Sequence, residues 1–255
     1  MTIPTVPPGH SLLPDREFAF TQADFERVRK LIYEHAGISL APVKQDMVYS
    51  RLARRLRALR LSSFADYLGM LERGNSQEWE TFVNSLTTNL TSFFRESHHF
   101  DILKRHLKAA DHRPLRIWCS AASTGEEPYS LAMTACEAFD SLTPPVSIVA
   151  SDIDTNVLAT ASHGVYGMDR VERLSAERLH RYFQKGAGAQ SGYARIRPEL
   201  QKLVTFTRIN LLDNRWPVNG PLDALFCRNV MIYFDKPTQY KILKNFVPLL
   251  REDGL

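Results

Sequence analysis

Four stretches hold side chains whose types and spacing could do chemistry. At 120–128 the chain reads SAASTGEEP, small residues and Gly125 turning into a helix that opens on Glu126 and Glu127. Small residues let a ligand approach the backbone closely. The stretch is neither G-x-G-x-x-G nor a P-loop, because no Lys-Ser/Thr follows the glycine, which argues against a triphosphate. Two glutamates at a helix N-terminus suit the helix dipole or a cationic ligand and would repel phosphate. A plain tight turn with acidic first-turn residues is the alternative.

The second stretch, ASDID at 150–154, places Asp152 at the tip of an apolar run. An acid there commonly takes ribose hydroxyls, whereas Asp154 reads as the N-cap of TNVLATA. The two stretches together suit a nucleoside without a phosphate chain, and S-adenosylmethionine has the required ribose, adenine, zwitterionic tail and sulfonium. The third stretch, CRNVMIYF at 227–234, sets Arg228 and Asn229 between apolar runs, with Tyr233 beyond. A buried arginine needs a partner, so a structural ion pair is an alternative for Arg228, and a core tyrosine with its hydroxyl satisfied at the edge is one for Tyr233. The Asn/Asp-Pro-Pro-Tyr/Phe arrangement of amino-group methyltransferases is missing, which weighs against nucleobase N-methylation. The fourth is RLARRLRALR at 51–60. Arg51, Arg54 and Arg55 share a helical face, Arg57 and Arg60 lie beside it, and Leu52, Leu56 and Leu59 fall opposite. It is either a solvated face or a docking surface for an acidic partner.

The eight histidines show no H-x-x-x-H or H-E-x-x-H pairing, so no metal site is expected. Cys119, Cys136 and Cys227 form no C-x-x-C pair. They read as small buried hydrophobes in a reducing compartment, with a catalytic thiol as the lesser alternative.

These residues need elements to position them. Thr21 and Asp24 form a capping box for a helix through Phe25, Val28, Leu31 and Ile32 that stops at Gly37. Further helices are expected over 43–59, from Ser62 or Ser63 to Gly74, and from Ser76 through Trp79, Phe82, Val83 and Leu86. Residues 16–86 thus read as all-helical and 87–97 as a linker, before a helix from Glu96 to Ala110. From Leu115 strands and helices alternate, with LVTFTRINLL and LDALFCRNVMIYF as later strands, which implies a parallel sheet covered by helices. Roughly 175–207 looks like an insertion holding a helix, a Gly-rich stretch and a hairpin. REDGL reads as a turn into another strand, so further C-terminal strands are expected beyond residue 255. Residues 1–15, with four prolines and no apolar h-region, read as a disordered tail and not a signal peptide.

At 255 residues the chain suits one large domain or two small ones. Hydrophobic residues make up 44% and charged residues 24%, the balance of a globular protein, and no apolar run approaches the roughly 18 residues of a membrane span. The net charge of +4 favours an acidic partner without choosing among nucleic acid, lipid and protein. A cytoplasmic location is expected.

In order and spacing, LTTNLTSFFRE, AASTGEEPYSLAM, ASDIDTNVL, INLL and FCRNVMIYFDK closely resemble the chemotaxis receptor methyltransferases, the CheR family, from about residue 20 to the C-terminus. The resemblance implies a small all-α N-terminal domain and an α/β, Rossmann-like methyltransferase domain (98–255) carrying an inserted β-subdomain. It implies S-adenosylmethionine-dependent O-methylation of glutamate side chains on the cytoplasmic helices of chemoreceptors, by a monomer with no nucleic acid partner and no membrane insertion. It places the cofactor on Asn89, Thr91, Arg95, Glu126, Asp152, Asn210, Leu211, Arg228 and Asn229, and puts Arg95 and Tyr233 near the transferred methyl. Arg51, Arg54, Arg55 and Arg57 then face glutamate-rich receptor helices. The short GAGAQSGYARIR loop resembles the subtype that binds a receptor's C-terminal pentapeptide by strand addition, with Arg195 and Arg197 available to an acidic peptide. Two rival readings remain: a nucleic-acid methyltransferase, marked by salt-steep binding, and a cofactor-binding adaptor without turnover, against which intact Arg95 and Tyr233 argue.

Overall fold

The first helix begins where the sequence supplies both halves of a capping box. Thr21 Oγ1 accepts the Asp24 amide at 3.1 Å, and the Asp24 carboxylate accepts the Thr21 amide at 2.9 Å. The helix ends at Gly37, at φ +69°, where a β-carbon would meet Leu212 at 2.9 Å. Both the conformation and the close approach call for glycine there. A computed structural model describes residues 16–74 and 76–255; the expected disordered tail, 1–15, lies outside the described residues.

Four helices build the N-terminal domain: α1 (Gln22–Ala36), α2 (Gln45–Leu59), α3 (Phe64–Glu72) and α4 (Ser76–Leu86). They bury Phe25, Val28, Ile32, Leu52, Leu56, Phe64, Leu68 and Phe82 in one apolar cluster, which drives their packing. A linker leads to α5 (His98–Ala109), then β1 (Leu115–Cys119), α6 (Glu126–Phe139), β2 (Val146–Asp152) and α7 (Thr155–His163). Next come β3 (Val165–Gly167), α8 (Met168–Val171), α9 (Ala176–Tyr182), β4 (Phe183–Lys185), β5 (Tyr193–Ile196) and α10 (Pro198–Gln201). The last elements are β6 (Val204–Arg208), β7 (Ala224–Phe226) and α11 (Lys236–Phe246).

The main sheet is parallel, in the order β6-β2-β1-β7. Both of its faces are covered, as parallel sheets require. Ile117 and Cys119 of β1 pack into the cluster formed with α5 and α6, and Trp118 packs against Phe246 of α11 and Trp216. The alternation β1, α6, β2 brings the carboxyl ends of the strands to one edge of the sheet. Residues 250–255 run beside β7, with a parallel bridge between Leu222 and Leu250 and a bond from the Leu225 amide to the Leu255 carbonyl at 2.8 Å.

A second sheet, antiparallel in the order β3-β5-β4, forms the inserted β-subdomain. It takes in Val165–Gly167, ahead of the 175–207 segment, while Val204–Arg208 at that segment's end belongs to the main sheet. A three-residue strand is too short to show a period-2 pattern. The strand expected through CRNVMIYF stops at Phe226. Asn229 adopts φ +58°, and a short 3₁₀ turn covers Met231–Tyr233. Asn tolerates the left-handed region better than most residues, and it takes the chain out of the sheet.

The arginine-rich stretch lies on α2, and the structure divides it. Arg51 donates to the Ser85 and Thr87 carbonyls, at 3.4 and 2.6 Å, closing the C-terminal end of α4. Arg55 forms a bidentate pair with Glu78, both bonds 2.7 Å, and Glu78 also accepts the Tyr67 hydroxyl. Arg51 and Arg55 therefore serve packing inside this domain and not a shared docking face. Arg57 is exposed and paired with Glu17 at 2.6 Å, and Arg54 is exposed.

Because Glu78 is only 4% exposed, removing Arg55 takes away the cation that pairs with a buried carboxylate. Arg55→Ala is expected to lower stability by about 3 kcal/mol. Arg54→Ala is expected to leave the urea denaturation midpoint unchanged, measured in parallel.

Candidate active site

A cavity of about 460 Å³ opens at the carboxyl ends of β1 and β2. This is where an open α/β sheet gathers the loops that follow its strands. Asn89, Thr91, Arg95, Asp152, Asn210, Leu211, Arg228, Asn229 and Tyr233 all line it. They come from four separate segments that the fold brings together.

Asp152 ends β2. Its Oδ2 accepts the Ser123 amide at 2.8 Å and its Oδ1 accepts the Asp154 amide at 3.1 Å. Burial pushes its carboxyl up from the usual range, while these amides pull it back. Each oxygen keeps a lone pair for a further donor, which suits a diol such as ribose. The turn after β1 is tight for a packing reason. At Gly125, φ +100°, a β-carbon would meet the Tyr166 hydroxyl at 2.6 Å and Ala161 at 2.9 Å.

Glu126 does not reach the cavity. It is fully buried, accepts Thr124 Oγ1 at 2.7 Å and forms an ion pair with Arg170. Arg170 also donates to the Thr91 carbonyl at 3.3 Å, so Glu126 acts on the linker through Arg170. The next residue, Glu127, lines the cavity instead. Arg228 Nη1 donates to it at 2.5 Å and Cys119 Sγ at 3.4 Å. Burial raises the Glu127 carboxyl, with Arg228 opposing. Two adjacent helical residues differ by about 100° in direction, and the Glu126-Glu127 pair holds no signal for which one turns toward the cavity.

The linker is tied down along its length. Asn89 donates to Asp154 Oδ2 at 2.9 Å, Thr87 Oγ1 donates to the same oxygen at 2.6 Å, and Arg95 donates to the Leu90 carbonyl at 3.0 Å. Asp154 Oδ1 meanwhile accepts the Asn156 and Val157 amides, so it does cap α7. The side chain of Asn210 is spent on structure: Nδ2 donates to the His35 carbonyl at 2.7 Å, and Oδ1 accepts the Leu212 amide at 3.0 Å.

One wall escaped the sequence reading. Ile38, Ser39, Leu40 and Lys44, between α1 and α2, and Met47 at the start of α2 line the same cavity. The Ser39 amide donates to the Tyr233 carbonyl at 2.8 Å, and the Tyr33 hydroxyl donates to Asp235 at 2.7 Å. The apolar run after Gly37 was the available signal. Among the described residues, no group of three or more His, Cys, Asp or Glu could hold a metal ion, and no helix is long and apolar enough to cross a membrane.

Residues 89–255 match the family described as "CheR methyltransferase, SAM binding domain", and residues 23–87 match "CheR methyltransferase, all-alpha domain". The chain belongs to the CheR methyltransferase family. It is 54% identical to chemotaxis protein methyltransferase 2 of Pseudomonas aeruginosa, over 99% of this chain and 90% of that one. It is 53% identical to the chemotaxis protein methyltransferase of Salmonella typhimurium, over 94% and 83%. With that of Escherichia coli the identity is 51%, over 93% and 83%. As a CheR-type methyltransferase the chain uses S-adenosylmethionine, in methylation that serves chemotaxis. The cavity's donor set fits that cofactor, with a buried acid for a diol and backbone-rich turns in place of a phosphate cradle.

Asp152→Ala is expected to weaken S-adenosylhomocysteine binding by at least about tenfold, the loss of a charge-assisted bond worth roughly 1.5–3 kcal/mol. Glu126→Gln is expected to weaken it less, since Glu126 lies off the cavity. Calorimetric titration of both variants checks this ordering.

Proposed function

We propose that this enzyme transfers a methyl group to glutamate side chains on the cytoplasmic helices of chemoreceptors, acting in the cytoplasm. The observation that carries the reading is that Arg95 and Tyr233 line the same cavity as Asp152, so groups suited to a carboxylate share one space with a cofactor-binding acid.

A glutamate is already ionised near neutral pH and needs no general base to attack a methyl group. The bound cofactor supplies an electrophilic methyl on a sulfonium. The protein's task is then to hold and desolvate two opposite charges. Arg95 takes the acceptor carboxylate by charge-assisted hydrogen bonds, and Tyr233 sets its orientation from the 3₁₀ turn that the Ser39 amide fixes. Asp152 holds the ribose. Asn210 serves through its backbone and Leu211 through apolar contact, because the Asn210 side chain is bonded elsewhere. On α2, Arg54 is exposed and has no acidic partner among the described residues, and we assign it to receptor helices, with Arg57 beside it once Glu17 is displaced.

The β-subdomain supports a peptide tether. Its outer strands, β3 and β4, each pair only with β5, which leaves an edge open to strand addition. Arg195 stands exposed on β5, opposite Val165 and Gln184. Arg197 is half-buried and donates to the His180 carbonyl at 3.1 Å, so the acidic-peptide role falls to Arg195.

Two tests follow, using tritium-labelled cofactor and a receptor cytoplasmic fragment. Base-labile methyl ester is expected on the fragment; its absence with every receptor tested overturns the reading. Arg95→Ala is expected to lower kcat by about 100-fold, as loss of positioning in a site like this does. Tyr233→Phe is expected to cost less, about tenfold. For the tether, deleting the receptor's last five residues raises KM and leaves kcat in place.

A further inference from the structure

The bond to the Leu90 carbonyl fixes one end of the Arg95 guanidinium, and a second support lies on the other side of it. Arg95 lies in a turn between two non-glycine residues in the left-handed region, Phe94 at φ +52° and Glu96 at φ +55°. Across from them Asn229 stands at φ +58°. Such conformations persist only where the surroundings over-determine them.

One carboxylate meets all the parts. Glu96 Oε2 accepts Arg228 Nη2 at 3.1 Å and lies 3.7 Å from His99 Nδ1. Its Oε1 accepts Asn229 Nδ2 at 3.4 Å and lies 4.0 Å from Arg95 Nε. Arg228 is itself anchored. It pairs with the buried Glu127, donates to the Arg95 carbonyl at 2.6 Å, and lies over the Phe100 ring at 5.6 Å. A chain of charges therefore runs from the interior of the methyltransferase domain, through Arg228 and Glu96, to the exposed side of Arg95. The Glu96 side chain is 43% exposed, and an ion pair so wet adds little to folding stability. Four contacts on one exposed carboxylate, inside a strained turn, call for a reason other than stability.

We infer that Glu96 is a positioning residue for methyl transfer: its carboxylate bridges Arg228, Asn229 and Arg95 and fixes the Arg95 guanidinium at the cavity wall. The inference rests on the role given to Arg95 above. Glu96 is not among the residues that line the cavity, and it acts on the acceptor through the Arg95 side chain. Its removal leaves the Arg228–Glu127 pair and the bond to the Arg95 carbonyl in place, so the turn keeps its course but is held by fewer contacts and opens more often, and the Arg95 side chain loses a support.

The test compares Glu96→Ala and Glu96→Gln in the full chain by steady-state methylation, S-adenosylhomocysteine calorimetry and amide hydrogen exchange. Glu96→Ala is expected to lower kcat by about tenfold or more, with KM for the receptor fragment and cofactor affinity within about twofold of wild type. In Glu96→Gln the amide oxygen keeps the Arg228 bond that holds the turn, while the NH2 in place of Oε1 faces the Asn229 and Arg95 donors, so only part of the rate is expected to return. Exchange at 92–97 is expected to rise in Glu96→Ala and not in Glu96→Gln, with α6 unchanged in both. A kcat for Glu96→Ala within about twofold of wild type overturns the inference. So does a loss that tracks cofactor affinity or thermal midpoint, which marks a general structural role. Absence of methyl ester from the wild-type enzyme refutes the proposed function instead. In that event unchanged exchange at 92–97 overturns the positioning role, and raised exchange supports it.

Discussion

Asp154 is the joint on which the arrangement turns. Its side chain is buried at 2% exposure and takes four donors, two from the start of α7 and two from the linker. A carboxylate in such a place is tolerable only when its lone pairs are filled. Satisfying them forces the linker to run past the tip of β2. Once Thr87 and Asn89 are pinned there, the chain from Leu90 to Arg95 must cross the mouth of the strands, where it becomes one side of the cavity. The capping residue predicted from sequence is thus also the clasp that turns a linker into part of the site.

Directional polar contacts join the helical domain to the methyltransferase domain, beside Ile153, which packs against the helical domain's apolar cluster. Asn84 donates to Thr155, Thr155 to Glu80, Asn210 to the His35 carbonyl, and Tyr33 to Asp235. The His35 ring stacks on Trp79 at 4.5 Å, and burial together with Arg208 lowers its pKa. Each domain keeps its own apolar cluster. Between them lies a seam of directional bonds, which fixes geometry more than it adds hydrophobic stability. Such a seam suits a wall that must stand at a set distance from the strand ends, because hydrogen bonds lose strength steeply with misalignment.

Much of this was legible in the sequence, for identifiable reasons. The capping box at Thr21, the αL glycine at 37 and the alternation of strand and helix from Leu115 are local signals, and each survives folding unchanged. Asp152 could be placed because an acid at a strand tip has few alternatives. What was missed depends on phase and on distant partners. Glu126 and Glu127 are exchanged by one step of helical rotation. Arg51 and Arg55 look like a surface stripe until α4 arrives with Glu78 and the carbonyls of Ser85 and Thr87. The α1–α2 segment carries no charged motif, and the short apolar run after Gly37 is a signal that core packing explains equally well. Val165–Gly167 joins the small sheet through pairing with Tyr193–Arg195, some 30 residues on, a contact that no short-range pattern encodes.

The balance of charge in the cavity follows from where each group finds its partner. Glu127 and Arg228 neutralise one another across 2.5 Å and present a fixed dipole in place of a free charge. Asp152 stands on backbone amides with no cation bonded to it, so a positive or hydroxyl-bearing ligand meets an acid that is not already paired. Arg95, in contrast, spends one nitrogen on a carbonyl and meets Glu96 only at 4.0 Å. Its guanidinium has five donors, so most remain for an incoming anion. In the proposed reaction a carboxylate and a sulfonium lose their charges together. A site whose own groups are held in place beforehand has little to rearrange as that happens, and preorganisation of this kind is where an enzyme without a catalytic base gains its rate.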